Sequence, residues 1–224
     1  MEKINWKIKD TLILFVIPLE LALGAFLSTT SLTSNLMVAA MLPFTLKLLS
    51  LIITIVLFHQ LLREDWSAFK KKFWLKLILC ALAAGAMYFV LSGVRHLVGI
   101  SQSAEVMKEV TGGLPYGIFL IAVATPILAP LTEEIIFRHV LFYKFKDNLI
   151  LQILMCLVSA FLFGAIHINN FGGNLFLTIP YMAVALVYNA IYYFTKNIWI
   201  TTTIHFLFNF AQSIVPALLI PFLI

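Results

Sequence analysis

Long unbroken apolar stretches run along this chain, separated by short polar clusters. A helix that crosses a bilayer needs about 20 mostly apolar residues, with a range of roughly 17–25. Stretches of that kind are Thr11–Leu27, Leu36–Phe58, Phe73–Val94, Pro115–Phe137, Leu149–His167, Leu175–Phe194 and Ile198–Val215. The alternation of apolar and polar residues that marks a membrane barrel is missing from them. The tail Pro216–Ile224 is apolar but too short to cross, and would fit a partial eighth helix that begins before Pro216. The pattern predicts an all-α polytopic membrane helical bundle of seven to eight transmembrane helices. With no internal repeat or low-complexity linker, residues 1–224 read as one membrane domain.

Composition sharpens that reading. Hydrophobic residues make up 62% of the 224 residues and charged residues 11%, where ordinary globular proteins carry about 25% charged residues. So few charges cannot cover a water-soluble globule, which excludes a soluble enzyme, a disordered chain and a secreted disulfide scaffold. Cys80 and Cys156 both lie in apolar stretches without a CxxC, so neither a disulfide nor a metal role is expected. The net charge of +5 would suggest nucleic acid in a soluble protein. Here the positive residues sit mostly in short loops and act as topology signals, so the expected partner is the lipid bilayer and not nucleic acid.

With the N-terminus placed in the cytoplasm, Lys3, Lys7, Lys9, Arg63, Lys70, Lys71, Lys72, Lys76, Lys144, Lys146 and Lys196 fall inside, and only Arg95 and Lys108 outside. The N-terminal apolar run lacks a small-residue cleavage site and reads as a retained anchor. Segment Arg63–Lys76 mixes basic residues with Trp66, Phe69, Phe73 and Trp74, and fits either an interfacial helix or a plain positive-inside loop. The outer segment Gly99–Leu114, with Glu105, Lys108 and Glu109, has spacing for one or two helical turns.

Ionisable groups inside spans are costly, about 2.5–3.5 kcal/mol at a helix centre, and so mark pairing or function. The fourth span ends with Glu133, Glu134 and Arg138, behind Pro126 and Pro130. Glu134 and Arg138 are four apart and share a helix face, whereas Glu133 lies about 140° around from Arg138. The fifth span ends with Phe163 and His167 on one face, with Gly164 and Ala165 allowing close approach of another helix. The seventh carries His205 and Asn209 on one stripe, behind three threonines. Glu20 and Lys47 are lone charges in the first two spans, able to pair with each other or line a cavity. His139 points about 100° away from Arg138.

Together these supply two carboxylates, an arginine, two histidines and an asparagine, enough for water activation and oxyanion stabilisation within a membrane. Two histidines and a glutamate also make a known zinc set, although no HExxH is present. Depth is uneven at 1.5 Å per residue. Glu133 lies about 21 Å above the turn near Asp147, His167 about 30 Å, and His205 about 13 Å above Lys196. Kinked helices or a membrane-embedded turn are needed to bring the three together.

Glu-Glu-x-x-x-Arg at 133–138, Phe-x-x-x-His at 163–167 and His-x-x-x-Asn at 205–209, in that order, resemble the CAAX protease and bacteriocin-processing (CPBP, or Abi) family of intramembrane proteases. Phe137-Arg138 and Tyr193-Phe-Thr-Lys-Asn-Ile-Trp-Ile fit as well, and the motif-bearing core spans approximately 115–215. His139 departs from the small residue common in the family. The resemblance implies hydrolysis of hydrophobic or lipidated peptides in a cavity open to the cytosolic side. It casts Glu133 as the base that activates water, His167 as its assistant, His205 and Asn209 as oxyanion stabilisers, and Glu134 with Arg138 as a supporting pair. A metal-free glutamate mechanism with no cofactor is the expectation, with zinc the alternative. Small size favours the bacterial type, associated with peptide maturation or bacteriocin self-immunity, over CAAX prenyl-protein processing. A non-catalytic immunity or scaffold protein of the same fold, and a small transporter, are the competing readings. Oligomeric state is open.

Overall fold

The computed structural model describes residues 5–100 and 115–219. In chain order its helices are α1 (Ile8–Ser28), α2 (Leu36–Phe69), α3 (Phe73–Leu97), α4 (Tyr116–Phe145), α5 (Leu149–Ala165), α6 (Leu175–Thr195) and α7 (Ile198–Leu219). No strand occurs among the described residues, so the chain is an all-α bundle. Six of the helices are long and apolar enough to cross a membrane, and α5, at 17 residues, is shorter. Its end at Ala165 leaves His167 outside the helix that the apolar pattern predicts to contain it. No separate eighth helix begins before Pro216 among the described residues, because α7 runs unbroken to Leu219. The outer segment with Glu105, Lys108 and Glu109 lies outside the described residues.

The exterior is apolar, as a lipid-facing surface must be. Phe89, Leu97, Ile150 and Phe194 are among the fully outward side chains. Two apolar clusters fill the interior. One joins α1, α2, α4, α5 and α6 through Ile13, Phe58, Ile135, Phe163 and Tyr192. The other joins α3, α6 and α7 through Met87, Leu91, Tyr188 and Ile204, and includes Cys80. This is a multi-pass membrane protein with a set of polar side chains buried in its interior.

Segment Arg63–Lys76 covers the end of α2, a short turn and the start of α3. After an irregular step at Phe58, α2 runs on through Arg63 to Phe69, and Lys72, with φ of 58°, reverses the chain into α3. Phe69 is buried, while Trp66 and Trp74 stay exposed. The Trp66 ring lies on Phe69, Phe73 and Trp199, and Lys76 donates to the Ala68 carbonyl. The short basic turn at residues 70–72 is all that remains as loop.

The crossing of α5 and α6 rests on small and polar residues, the usual means of holding helices together in lipid. The Asn189 amide donates to the Cys156 carbonyl at 3.2 Å. At Gly164 an added Cβ would run into Met182 and come within 3.2 Å of the Thr178 carbonyl. Gly164→Ala is therefore expected to destabilise the bundle by about 1–3 kcal/mol, the usual cost of overpacking. Thermal unfolding in detergent measures this, and a Tm unchanged from wild type would mean that Met182 simply swings aside.

Candidate active site

Helix α4 is built to be irregular. Residues Tyr116–Ala124 are α-helical, Thr125–Ile127 form a 3-10 turn, Pro130–Glu134 a short α-helix and Ile135–Val140 a π-helix. Proline has no N–H, so the Pro126 carbonyl lacks the donor that residue 130 would otherwise supply. Asn209 of α7 fills that position, its Nδ2 donating to the Pro126 carbonyl at 2.9 Å. In the π-turn the Leu141 N–H moves from the carbonyl of Phe137 to that of Ile136. The freed Phe137 carbonyl accepts from the Ser159 hydroxyl of α5 at 2.7 Å. Neighbouring helices thus satisfy each backbone group that the irregular turns release, as lipid requires.

The second half of α4 is fully enclosed, with every residue from Pro130 to Arg138 buried. Glu134 and Arg138 are completely buried, with Arg138 Nε 3.2 Å from Glu134 Oε2. The contact is an ion pair without hydrogen-bond geometry, and none of the three guanidinium nitrogens makes a hydrogen bond among the described residues. Aromatic faces cover the group instead, with Cζ 4.3 Å from the Phe163 ring centroid and 4.9 Å from that of Tyr188. Glu134 Oε1 accepts from His205 Nδ1 at 2.9 Å. That bond fixes the His205 proton on Nδ1 and turns Nε2 toward Glu133, 3.7 Å from its Oε2. The other Glu133 oxygen lies 3.8 Å from Lys47 Nζ. Lys47 in turn pairs with Glu20 at 2.8 Å.

Glu20, Lys47, Glu133, His205, Glu134 and Arg138 therefore form one line of alternating acidic and basic groups through the bundle. The helix-face argument correctly separates Glu133 from Arg138, but Glu133 is not partnerless, since Lys47 and His205 flank it. Its contact with Lys47 is the feature that the sequence conceals. Tyr188 is the other residue missed, its ring centroid 5.2 Å from that of His205.

His167 and Asn209 stand one layer out. The His167 Nδ1–H donates to the Phe163 carbonyl at 2.8 Å, and its ring stacks on Tyr181 with centroids 4.5 Å apart. Phe163 separates the two histidines, 5.1 Å from His167 and 5.8 Å from His205 between centroids. His167 stands between the end of α5 at Ala165 and a 3-10 turn at Ile168–Phe171. His139 faces away from this cluster. It bonds the Tyr192 hydroxyl at 2.8 Å and lines a separate concavity of about 490 Å³ with Lys7, Lys9 and Lys144.

Among the described residues no three His, Cys, Asp or Glu side chains converge as a metal site would require. His167 and His205 each commit Nδ1–H to a protein oxygen, which leaves Nε2 as the free ring nitrogen of each.

Residues 115–211 match the family described as Type II CAAX prenyl endopeptidase Rce1-like, a segment that includes all six motif residues but neither Glu20 nor Lys47. No curated protein and no solved structure matches the chain. Over residues 115–211, a little under half of the chain, the protein is similar to this family of CAAX-type membrane proteases.

Proposed function

We propose that this protein is an intramembrane endopeptidase that hydrolyses hydrophobic or lipidated peptides with water activated by Glu133. One observation carries the reading. Glu133 is buried, flanked by two cationic or basic nitrogens at 3.7 and 3.8 Å, and accepts no hydrogen bond among the described residues. Such a carboxylate is held in position while its lone pairs stay free for a water proton. The family match supports a CAAX-type membrane protease at the level of the family.

The steps follow from the donors present. Glu133 takes a proton from water, and the hydroxide adds to the scissile carbonyl carbon. The resulting oxyanion needs donors. His205 supplies one when its Nε2 carries a proton, its ring held by Glu134 through Nδ1. Asn209 has a second amide N–H beyond the one bonded to Pro126. The C–N bond then breaks, and the proton on Glu133 passes to the leaving amine. His167, with Nδ1–H committed to Phe163, offers Nε2 as an acceptor that steadies the water. Glu134 and Arg138 support His205. The excess of basic residues in alternate loops supports an N-terminus in the cytoplasm.

The test is cleavage of internally quenched farnesylated and non-prenylated hydrophobic peptides by the protein in liposomes, beside Glu133→Gln, with and without a chelator. The expected result is cleavage by wild type alone, unchanged by chelator, and faster on non-prenylated peptides, as for the bacterial type. Loss of activity with chelator would replace the metal-free mechanism, and preference for farnesylated peptides would move the substrate class to prenyl-protein processing. Cleavage by neither form would favour a non-catalytic protein of the same fold.

A further inference from the structure

We propose that Lys47 is a positioning residue for Glu133 and that Glu20 holds Lys47 in place. The inference rests on the reading of Glu133 as the base, but it concerns α1 and α2, which lie outside the segment of family similarity.

Both groups sit deep in their helices. Glu20 is about 18 Å from Ile8 and about 12 Å from Ser28 at 1.5 Å per residue, and Lys47 about 16 Å from Leu36. Charges at that depth must be paired. Lys47 Nζ lies 2.8 Å from Glu20 Oε1, and the Ser50 hydroxyl donates to Glu20 Oε2 at 2.8 Å. Both Glu20 oxygens are thereby committed, and the ammonium is fixed by a carboxylate that is itself fixed. Neutralising Glu20 would be complete at that point. The same ammonium nevertheless stands 3.8 Å from Glu133 Oε1, opposite the nitrogen of His205 on Oε2.

A second, independent contact sets this register. Thr54 Oγ1 and Thr132 Oγ1 are 2.9 Å apart and buried. The Thr54 hydroxyl is donated to the Ser50 carbonyl at 2.7 Å, so Thr132 is the donor to Thr54. That bond clamps α2 to α4 at the residue before Glu133, two helical turns along from Lys47. The 3.8 Å separation makes Lys47 a charge opposite the carboxylate and not a hydrogen-bond donor to it. It orients Oε1 and offsets its charge without occupying the lone pairs that must receive the water proton.

The experiment uses the quenched peptide that wild type cleaves, in liposomes. Removing Lys47 alone would strand Glu20, so the variant is Glu20→Gln with Lys47→Met, which deletes the pair as a unit. Folding is checked by thermal unfolding. The expected result is a folded protein with kcat lowered about 100-fold, in the range for removing one preorganised electrostatic group, and KM within about threefold of wild type by the same reasoning. Lys47→Arg, which keeps the charge, is expected to recover most of kcat. A folded double variant with wild-type kcat would overturn the proposal, as would Lys47→Arg as slow as the double variant. Should the double variant not fold, Glu20→Gln alone decides. Released from Glu20, Lys47 closes on Glu133, and kcat is expected to fall severalfold at unchanged KM, whereas wild-type kinetics would overturn the proposal. Glu133→Gln run in parallel separates the two failures, because its retaining full activity would remove the base itself.

Discussion

Glu133→Gln is expected to lower kcat by about 10²–10⁴-fold, the usual contribution of a positioned acid–base group, with little loss of stability. Glutamine is nearly isosteric, and it removes a carboxylate whose two flanking groups each keep another partner. Lys47 retains Glu20 at 2.8 Å, and His205 retains Glu134 at 2.9 Å. The fold therefore has no reason to fail. The measurement is single-turnover cleavage alongside thermal unfolding in the same lipid. Full activity in a folded Glu133→Gln protein would take Glu133 out of the chemistry altogether.

Arg138→Met is expected to do the opposite, destabilising the bundle by about 3–5 kcal/mol, the cost of breaking a buried ion pair from one side. Arg138 and Glu134 are both completely buried. Without the guanidinium, Glu134 keeps only His205, and Phe163 and Tyr188 lose the cation that their faces cover. The partner experiment is Glu134→Gln with Arg138→Met. Removing both charges is expected to restore most of the lost stability, because a buried pair replaced as a unit by neutral groups is often near neutral. Activity should not return, since His205 loses its ionised anchor. Denaturant unfolding in detergent reads the first part and peptide cleavage the second. Equal stability of Arg138→Met and wild type would show that the pair is not a structural element.

Much of this architecture is legible in the amino-acid order, because lipid imposes a strong pattern. Helix positions follow from apolar length alone, and the pairing of Glu134 with Arg138 follows from a spacing of four. The π-turn at Ile135–Val140 is not legible, since nothing in Ile-Ile-Phe-Arg-His-Val distinguishes it from an α-helical run. The prolines of α4 signal a break, but not that Asn209 would answer it at Pro126. His167 reads as part of the fifth span because Ile166 and His167 continue its apolar face, whereas the chain leaves the helix at Ala165. The aromatic and basic residues of Arg63–Lys76 suit a membrane surface, and that Trp66 also packs against Trp199 depends on how α2 meets α7. Lys47 was visible as a misplaced charge with Glu20 as its natural partner. That α4 would present Glu133 to the same ammonium depends on how α2 and α4 cross, which local spacing cannot encode.

The line of alternating charges also bears on how the protein enters the bilayer. Synthesis runs from the N-terminus, so α1 and α2 leave the ribosome first. Glu20 and Lys47 can meet as soon as those two helices are side by side, and each then crosses the hydrocarbon with a counter-ion already at hand. Helix α4 inserts later with Glu134 and Arg138 matched within one turn of its own length. Of Glu133, Glu134 and Arg138, Glu133 alone has no companion on its own helix. Its entry is made easier by a cation already waiting in the membrane, which gives the helices outside the family segment a part in biogenesis as well as in the finished structure.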